Sequence, residues 1–259
     1  MVGRPFAGAV DDRNSEWLMV ELARVAPHED AFQFSFDPSL LAPLASIYEN
    51  VVAPKLDFAR LRSGAAHDKL HGDGLRFHVS RYGNLLAWVS ADNLATHREF
   101  GRLFEHLHLA DAAKDLIDWH ERIVLYNGFY IVSDGVDGPS WHRDYVDGAQ
   151  AYTLLTPLYE LDAGHGQLLY ENDGEIARCE YRRGVGVTFG HGFRHATEPF
   201  ASASRPRVLV SLAFGTDRMR YWPALQRTVG IQAPFVVMPC GHRRGTCGCL
   251  QPRRSSAVG

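Results

Sequence analysis

Long apolar runs are missing from this 259-residue chain, so nothing in it reads as a membrane-spanning helix. Met1-Val-Gly-Arg-Pro lacks the apolar core of a signal peptide, which makes the cytoplasm the expected compartment and a membrane partner unexpected. Cysteine is scarce. Four residues, one at Cys179 and three bunched at Cys240, Cys247 and Cys249, do not form the framework of a disulfide-stapled secreted domain. A strong charge of either sign is also absent: the formal net charge of -3 gives no reason to expect nucleic acid as a partner. None of these features speaks to oligomeric state.

The composition is that of an ordinary globular protein, 46% hydrophobic and 22% charged, long enough to bury a sizeable core. Residues 1 to 16 are polar and are expected to be loosely ordered. A short strand is expected at Phe32 to Phe36, followed by a helix capped by Asp37 with Pro38 at its first position. Leu41, Leu44, Ile47, Tyr48 and Val51 recur at helical spacing until Pro54 interrupts them, with Pro43 as the alternative first turn. Ser63 to Gly74 reads as a polar loop. Asp92 is the expected cap of a second helix carrying Leu94, Phe100, Leu103, Phe104 and Leu107 on one face, and a third helical pattern covers Ala110 to His120.

From Arg122 the character changes to β-like runs separated by glycine, proline and aspartate. They are Ile123 to Val132, Ala151 to Leu161, Gln167 to Glu171, Glu175 to Tyr181, Val185 to Phe189, His195 to Phe200 and Val208 to Phe214, with a short strand at His142. About eight strands is the number in a jelly roll of the cupin kind. Helices first and antiparallel strands afterwards indicate an α+β chain: a double-stranded β-helix core over 122–215, an N-terminal helical support region over 1–121 and an extension over 216–259. A plain β-sandwich is the alternative, and it leaves the placement of the residues discussed next without a reason.

Trp141-His142-Arg143-Asp144 and a downstream histidine, His195, carry the chemistry. A histidine and a carboxylate two residues apart lie on the same side of a strand and can face one metal ion together. Two imidazoles and one carboxylate on one face of an octahedral ion leave three adjacent positions open, as non-heme iron(II) oxygenases require. The tripeptide by itself means little among 13 histidines and 30 acidic residues. His28/Asp30, His71/Asp73 and His97/Glu99 match the pattern as well, but His97 lies in a helical stretch and the other two lack a strand signal before them. His191 rivals His195 for the distal position; it sits between two glycines, whereas His195 heads a strand.

In order and spacing these residues resemble the iron(II)- and 2-oxoglutarate-dependent dioxygenases. His142-Arg143-Asp144 is followed by the glycine turn Gly164-His165-Gly166-Gln167-Leu168, by Gly184-Val185-Gly186-Val187-Thr188-Phe189, by His195 and by Arg207-Val208-Leu209-Val210-Ser211. Arg207 comes twelve residues after His195 and sixteen after His191; the family spacing favours the shorter interval. The match spans residues 122 to 215, and His165 departs from the glycine more usual in that turn.

The resemblance implies iron(II) held by His142, Asp144 and His195, with 2-oxoglutarate and O2 as cosubstrates converted to succinate and CO2. Hydroxylation of a C–H bond in a small molecule, an amino acid or natural-product intermediate, is the usual outcome. A peptide substrate is the close variant, and a non-catalytic cupin-like binding domain is the alternative of another class. Arg207 is the expected partner of the keto acid's distal carboxylate because a guanidinium binds carboxylate bidentately; Ser211, on the same face of the strand, adds a hydroxyl donor. Arg205 shares their parity and is the rival. Tyr126 and Tyr130 are candidates for the cofactor pocket, with simple core packing as the equal alternative. Trp141, Tyr145 and the loop Asp134 to Ser140 are expected at the substrate mouth.

The tail holds Cys240, His242, Cys247 and Cys249. These are zinc-type ligands, yet all fall within ten residues and match no finger spacing. A mobile, thiol-bearing tail without structural zinc is the expectation.

Overall fold

The computed structural model describes residues 22–26, 30–63, 67–82, 86–162, 164–201 and 205–250. The polar N-terminus and His28 therefore lie outside the described residues. In chain order the strands are β1 (Ala23–Arg24), β2 (Ala31–Ser35), β3 (His67–Gly72), β4 (Leu75–Tyr82), β5 (Leu86–Ala91) and β6 (Val124–Ser133). They continue with β7 (Ala151–Pro157), β8 (Leu168–Asn172), β9 (Glu175–Cys179), β10 (Val185–Phe189), β11 (His195–Thr197) and β12 (Arg207–Gly215). A nine-stranded sheet has the order β1-β2-β10-β7-β12-β6-β5-β4-β3, and a three-stranded sheet the order β11-β8-β9. Every pairing among these strands is antiparallel. No helix among the described residues is long and apolar enough to cross a membrane.

Asp37 caps as its position predicts, its carboxylate accepting from the Ser39 backbone N–H at 2.8 Å with Pro38 leading the turn. Helical backbone then runs through α1 (Ala42–Ile47) to Lys55, with Pro54 in its last, tighter turn. After α2 (Phe58–Arg62) comes the first departure from expectation: the residues read as a polar loop form the hairpin of β3 and β4. Asp73-Gly74 turns it, both residues at positive φ, as a two-residue hairpin requires. That dipeptide was the signal in the sequence, and Leu70 is the buried residue that gives the strand its inner face.

Helix α3 (Leu94–His106) is capped by Asn93, whose side chain accepts from Thr96 N–H at 2.9 Å, and not by Asp92. Phe100, Leu103 and Phe104 are buried as their spacing demands, whereas Leu94 in the first turn is exposed. The pattern over 110–120 yields only the single turn α4 (Leu109–Ala112). Residues 22–121 thus supply five strands to the large sheet in addition to helices.

Three apolar clusters organise the molecule. In the first, Leu41, Leu44, Phe100 and Leu103 pack on Val208, Val210 and Leu212, so these even-numbered positions of β12 face the helices. Gly128 on β6 lets Phe100 approach: a Cβ there would stand 2.4 Å from that ring. The second cluster fills the space between the two sheets, joining Leu168 and Tyr170 of β8 to Leu155, Val187, Phe189 and Leu209 of the large sheet. By strand alternation Arg207 and Ser211 share the face of Leu209 and point into this inter-sheet space. The third cluster packs Trp222 and Leu225 of α5 (Trp222–Leu225) and Val229 of α6 (Val229–Gln232) on Val124, Tyr126 and Tyr145. The C-terminal segment is therefore packed against this cluster as far as Cys247, contrary to the expectation of a mobile tail over that stretch; residues 251–259 lie outside the described residues.

Candidate metal centre

His142 lies in the connection between β6 and β7, and His195 opens β11. Their backbones form an isolated antiparallel bridge, His142 N–H donating to His195 O at 3.0 Å and His195 N–H to His142 O at 2.9 Å. A pair bonded in this reciprocal way presents both side chains on one face, and the two rings stand 4.4 Å apart. Asp144 completes the group: its Oδ1 is 3.5 Å from His142 Nε2 and 3.7 Å from His195 Nε2. One ligand-type atom from each of the three residues lies within 4.8 Å of the others.

Both imidazoles are oriented from behind. His142 Nδ1 lies 2.8 Å from Ser140 O and His195 Nδ1 lies 3.2 Å from Phe193 O. An N–H on each Nδ1 donates to these carbonyls and leaves Nε2 as the lone-pair nitrogen aimed at Asp144. Thr153 on β7 donates its hydroxyl to Asp144 Oδ2 at 2.6 Å, which leaves Oδ1 facing the imidazoles. The Thr228 hydroxyl donates to the Asp144 backbone carbonyl. Burial pushes His195 down to about 4 against the opposing pull of Asp144, so its ring is neutral at neutral pH, the form that ligates metal. At His142 burial also lowers the pKa, but in the protonated ring the Asp144 hydrogen bond and charge outweigh it and the net shift is upward. Burial raises the Asp144 carboxyl, and the two imidazoles with Thr153 overcome this to hold it below its usual range.

The rival histidines are elsewhere. His191 pairs with Asp30 at 3.9 Å, His97 packs on Phe235 from α3, and His71 belongs to the exposed β3–β4 hairpin.

Arg207 is 2% exposed, among the largest fully buried side chains. Its guanidinium carbon lies 5.4 Å from the Tyr181 ring centroid and 5.9 Å from that of Phe200. Nε and Nη1 have no hydrogen-bond partner among the described residues, and neither has the buried Ser211 hydroxyl two positions beyond Leu209 on the same face. Burial lowers the guanidinium pKa, with Tyr181 acting in the opposite direction. Arg205 is exposed and lies over the Tyr159 ring at 5.0 Å, outside the inter-sheet space.

Two expected pocket residues are misplaced. Tyr130 pairs with Val210, on the helix-facing side of the sheet, and its hydroxyl donates to Leu44 O at 2.9 Å. Tyr126 sits at the irregularity where β6 and β12 slip register, packs in the third cluster and donates to Thr216 O at 2.7 Å. Both are core aromatics with satisfied hydroxyls: Tyr130 lies on the face opposite Arg207, and Tyr126 packs in the third cluster instead of beside Arg207. Tyr145 is likewise buried, donating to Tyr152 O at 3.1 Å, so it does not belong to a substrate mouth. Trp141 is half-buried beneath Arg194, whose guanidinium stands 5.2 Å over its ring.

Residues the spacing did not reveal are Tyr181, Thr153 and Thr228. Tyr181 is held beside Arg207 by its backbone N–H, which donates to Gln167 Oε1 at 2.7 Å. Gln167 belongs to the glycine turn, where a Cβ on Gly166 would fall 2.1 Å from Glu198 O; glycine is obligatory for that close approach. His165, the departure in that turn, is structural: its Nδ1 accepts from Asp162 N–H and its Nε2–H donates to Arg205 O. Thr153 carries a faint sequence signal, as a hydroxyl in an apolar strand at the parity of Leu155.

No family model matches the chain, and no curated protein matches it. Among solved structures, SnoN, a non-heme alpha-ketoglutarate-dependent epimerase from nogalamycin biosynthesis, superposes with a TM-score of 0.51 at 15% identity over 73% of this chain and 78% of that one. EvdO2 from Micromonospora carbonacea var. aurantiaca, complexed with 2-oxoglutarate, reaches 0.48 at 16% identity, covering 76% and 94% of the two chains. HygX from Streptomyces hygroscopicus, with nickel and 2-oxoglutarate bound, reaches 0.48 at 12% identity over 73% and 83%. The chain thus shares an antiparallel fold with SnoN, and two histidines and an aspartate are gathered within it.

Proposed function

We propose that this chain is an iron(II)- and 2-oxoglutarate-dependent oxygenase, most simply a hydroxylase of a small molecule, and that its two sheets are the walls of a double-stranded β-helix over residues 122–215. The observation that carries this reading is Arg207. An ionised guanidinium deep between two sheets costs several kcal/mol unless an anion meets it, and two of its nitrogens have no partner among the described residues. A dicarboxylic keto acid bound at the metal supplies such an anion at its far end. The donor set supports the same conclusion, since two imidazoles and one carboxylate suit iron(II) with positions left open. SnoN serves nogalamycin biosynthesis, which supports a small molecule as the substrate class here as well.

When bound, iron(II) with 2-oxoglutarate and O2 supplies an oxidant able to break an unactivated C–H bond, leaving succinate and CO2. The remaining work belongs to the chain. His142, Asp144 and His195 would hold the ion; Ser140, Phe193 and Thr153 keep those side chains in register. Arg207 and Ser211 receive the distal carboxylate, with Tyr181 and Phe200 walling the guanidinium from water. The exclusion of water strengthens that charge-assisted contact and fixes the keto acid's orientation. A binding domain without turnover has no need of this second, buried cationic site.

The test is a 2-oxoglutarate titration of the anaerobic iron(II) protein, following the absorption band of the metal–keto-acid chelate. Removing one partner of a buried charged pair costs about 2 to 5 kcal/mol, so Arg207→Ala weakens binding roughly thirtyfold to several-thousandfold. Arg207→Lys, which keeps charge without the planar fork, falls between, and Arg205→Ala leaves affinity unchanged. Absence of the band in the unmodified protein, or an affinity indifferent to Arg207, refutes the proposal.

A further inference from the structure

We propose that Cys240, His242, Cys247 and Cys249 bind a structural zinc ion that fastens the C-terminal segment to the catalytic sheet. One ligand-type atom from each of the four residues lies within 4.8 Å of the others. Cys240 Sγ is 3.5 Å from Cys247 Sγ, and Cys247 Sγ is 3.6 Å from His242 Nδ1. Zinc–sulfur bonds of about 2.3 Å in a tetrahedron give sulfur–sulfur edges of roughly 3.8 Å, so the observed spacing is that of corners around a common centre. All three cysteines are free thiols.

The backbone is folded to make this arrangement. Val237 and Arg243 form an antiparallel bridge, Met238 N–H donates to His242 O at 2.8 Å and Gly241 N–H to Met238 O at 2.8 Å. Gly241 and Gly245 both adopt left-handed φ, near +80° and +85°. The glycines that make the segment look loose in sequence are therefore the hinges that bring His242 and Cys247 back toward Cys240. Cys249 N–H donates to Cys247 Sγ at 3.2 Å, the kind of supporting bond that orients a metal-bound thiolate.

Charge and softness agree on the ion. Three thiolates and an imidazole select zinc among the common divalent ions and close a four-coordinate site, in contrast to the nitrogen and oxygen donors of the centre between the sheets. Three thiolates around a divalent ion carry one net negative charge. Arg243 and Arg244 lie within the ligand loop, and no acidic residue occurs from 240 to 250.

The site has something to fasten. Residues 216–250 contain only helical turns of three or four residues and one modest apolar cluster, against which Cys240 and Cys247 pack. The segment is tied to β6 by Val237 N–H donating to Tyr126 O at 2.9 Å, and to the metal centre by Thr228 on the Asp144 carbonyl. A metal cross-link supplies the order that so small a core does not provide.

The experiment loads the full-length, metal-stripped chain with cobalt(II), which reports tetrahedral thiolate ligation by thiolate-to-metal charge-transfer bands and intense visible bands. The expected result is one thiolate-ligated cobalt per chain, displaced stoichiometrically by zinc. His142→Ala leaves these bands intact and Cys247→Ser abolishes them. Should Cys247→Ser fail to fold, the titration of the unmodified chain decides alone, because only thiolates generate the charge-transfer bands. Their absence from the unmodified chain, or their survival in a folded Cys247→Ser protein, overturns the proposal.

Discussion

Two clusters of metal-type ligands lie among the described residues, and they differ in how they are assembled. The cluster between the sheets draws His142, Asp144 and His195 from segments more than fifty residues apart, closed by a backbone bridge between the two histidines. The C-terminal cluster draws all four ligands from ten consecutive residues. The distant set is legible in the sequence because its spacing follows an ordered series of strands. The local set is not, because its spacing matches no familiar finger and its geometry depends on two left-handed glycines and a bridge at Val237. Closeness along the chain is thus a poor guide to closeness of ligand atoms. Backbone conformation decides it.

The comparison is most severely tested by His195→Ala. This substitution removes one of the three proposed iron ligands, so iron binding and substrate-dependent succinate formation are expected to vanish while the metal proposed at the C-terminal thiolates stays at full occupancy. Metal analysis together with a coupled succinate assay checks both halves, and joint loss of the two metals would show that the clusters are one folding unit.

Thr153→Val is a smaller cut into the same cluster. It deletes the hydroxyl on Asp144 Oδ2 and keeps the side-chain shape. Loss of a partner behind a ligating carboxylate costs about 10- to 100-fold in metal affinity, measurable by iron(II) competition against a chromophoric chelator. An unaltered affinity would mean that the His142 and His195 contacts alone orient Asp144.

Tyr130→Phe carries the least expected effect and tests which face of the sheet matters. Its hydroxyl donates to Leu44 O on the helix side, so its removal is expected to cost about 1 kcal/mol of stability in denaturant unfolding and to leave 2-oxoglutarate affinity untouched. A large loss of keto-acid affinity would return Tyr130 to the pocket.

Periodicity and composition by themselves determined much of the scaffold: the strands from β6 to β12, the cap at Asp37, the buried stripe of α3, and His142, Asp144 and His195 as a potential ligand set. These are consequences of residue order, since alternation and turn chemistry act over a few neighbours. Other features depended on which strand lies beside which. Arg207 and Arg205 share parity, yet one is sealed under Tyr181 and Phe200 and the other lies in solvent over Tyr159. Tyr126 and Tyr130 share parity within β6, but the register with β12 shows that a bulge separates them and that Tyr130 faces the helices while Ser133 pairs with Arg207. Tyr181 reaches the guanidinium through a turn held by Gln167, and Thr228 reaches Asp144 from the far end of the chain. Such contacts join residues tens of positions apart with no local period to announce them. Tertiary packing alone decides which buried charge lacks a partner and which thiols meet.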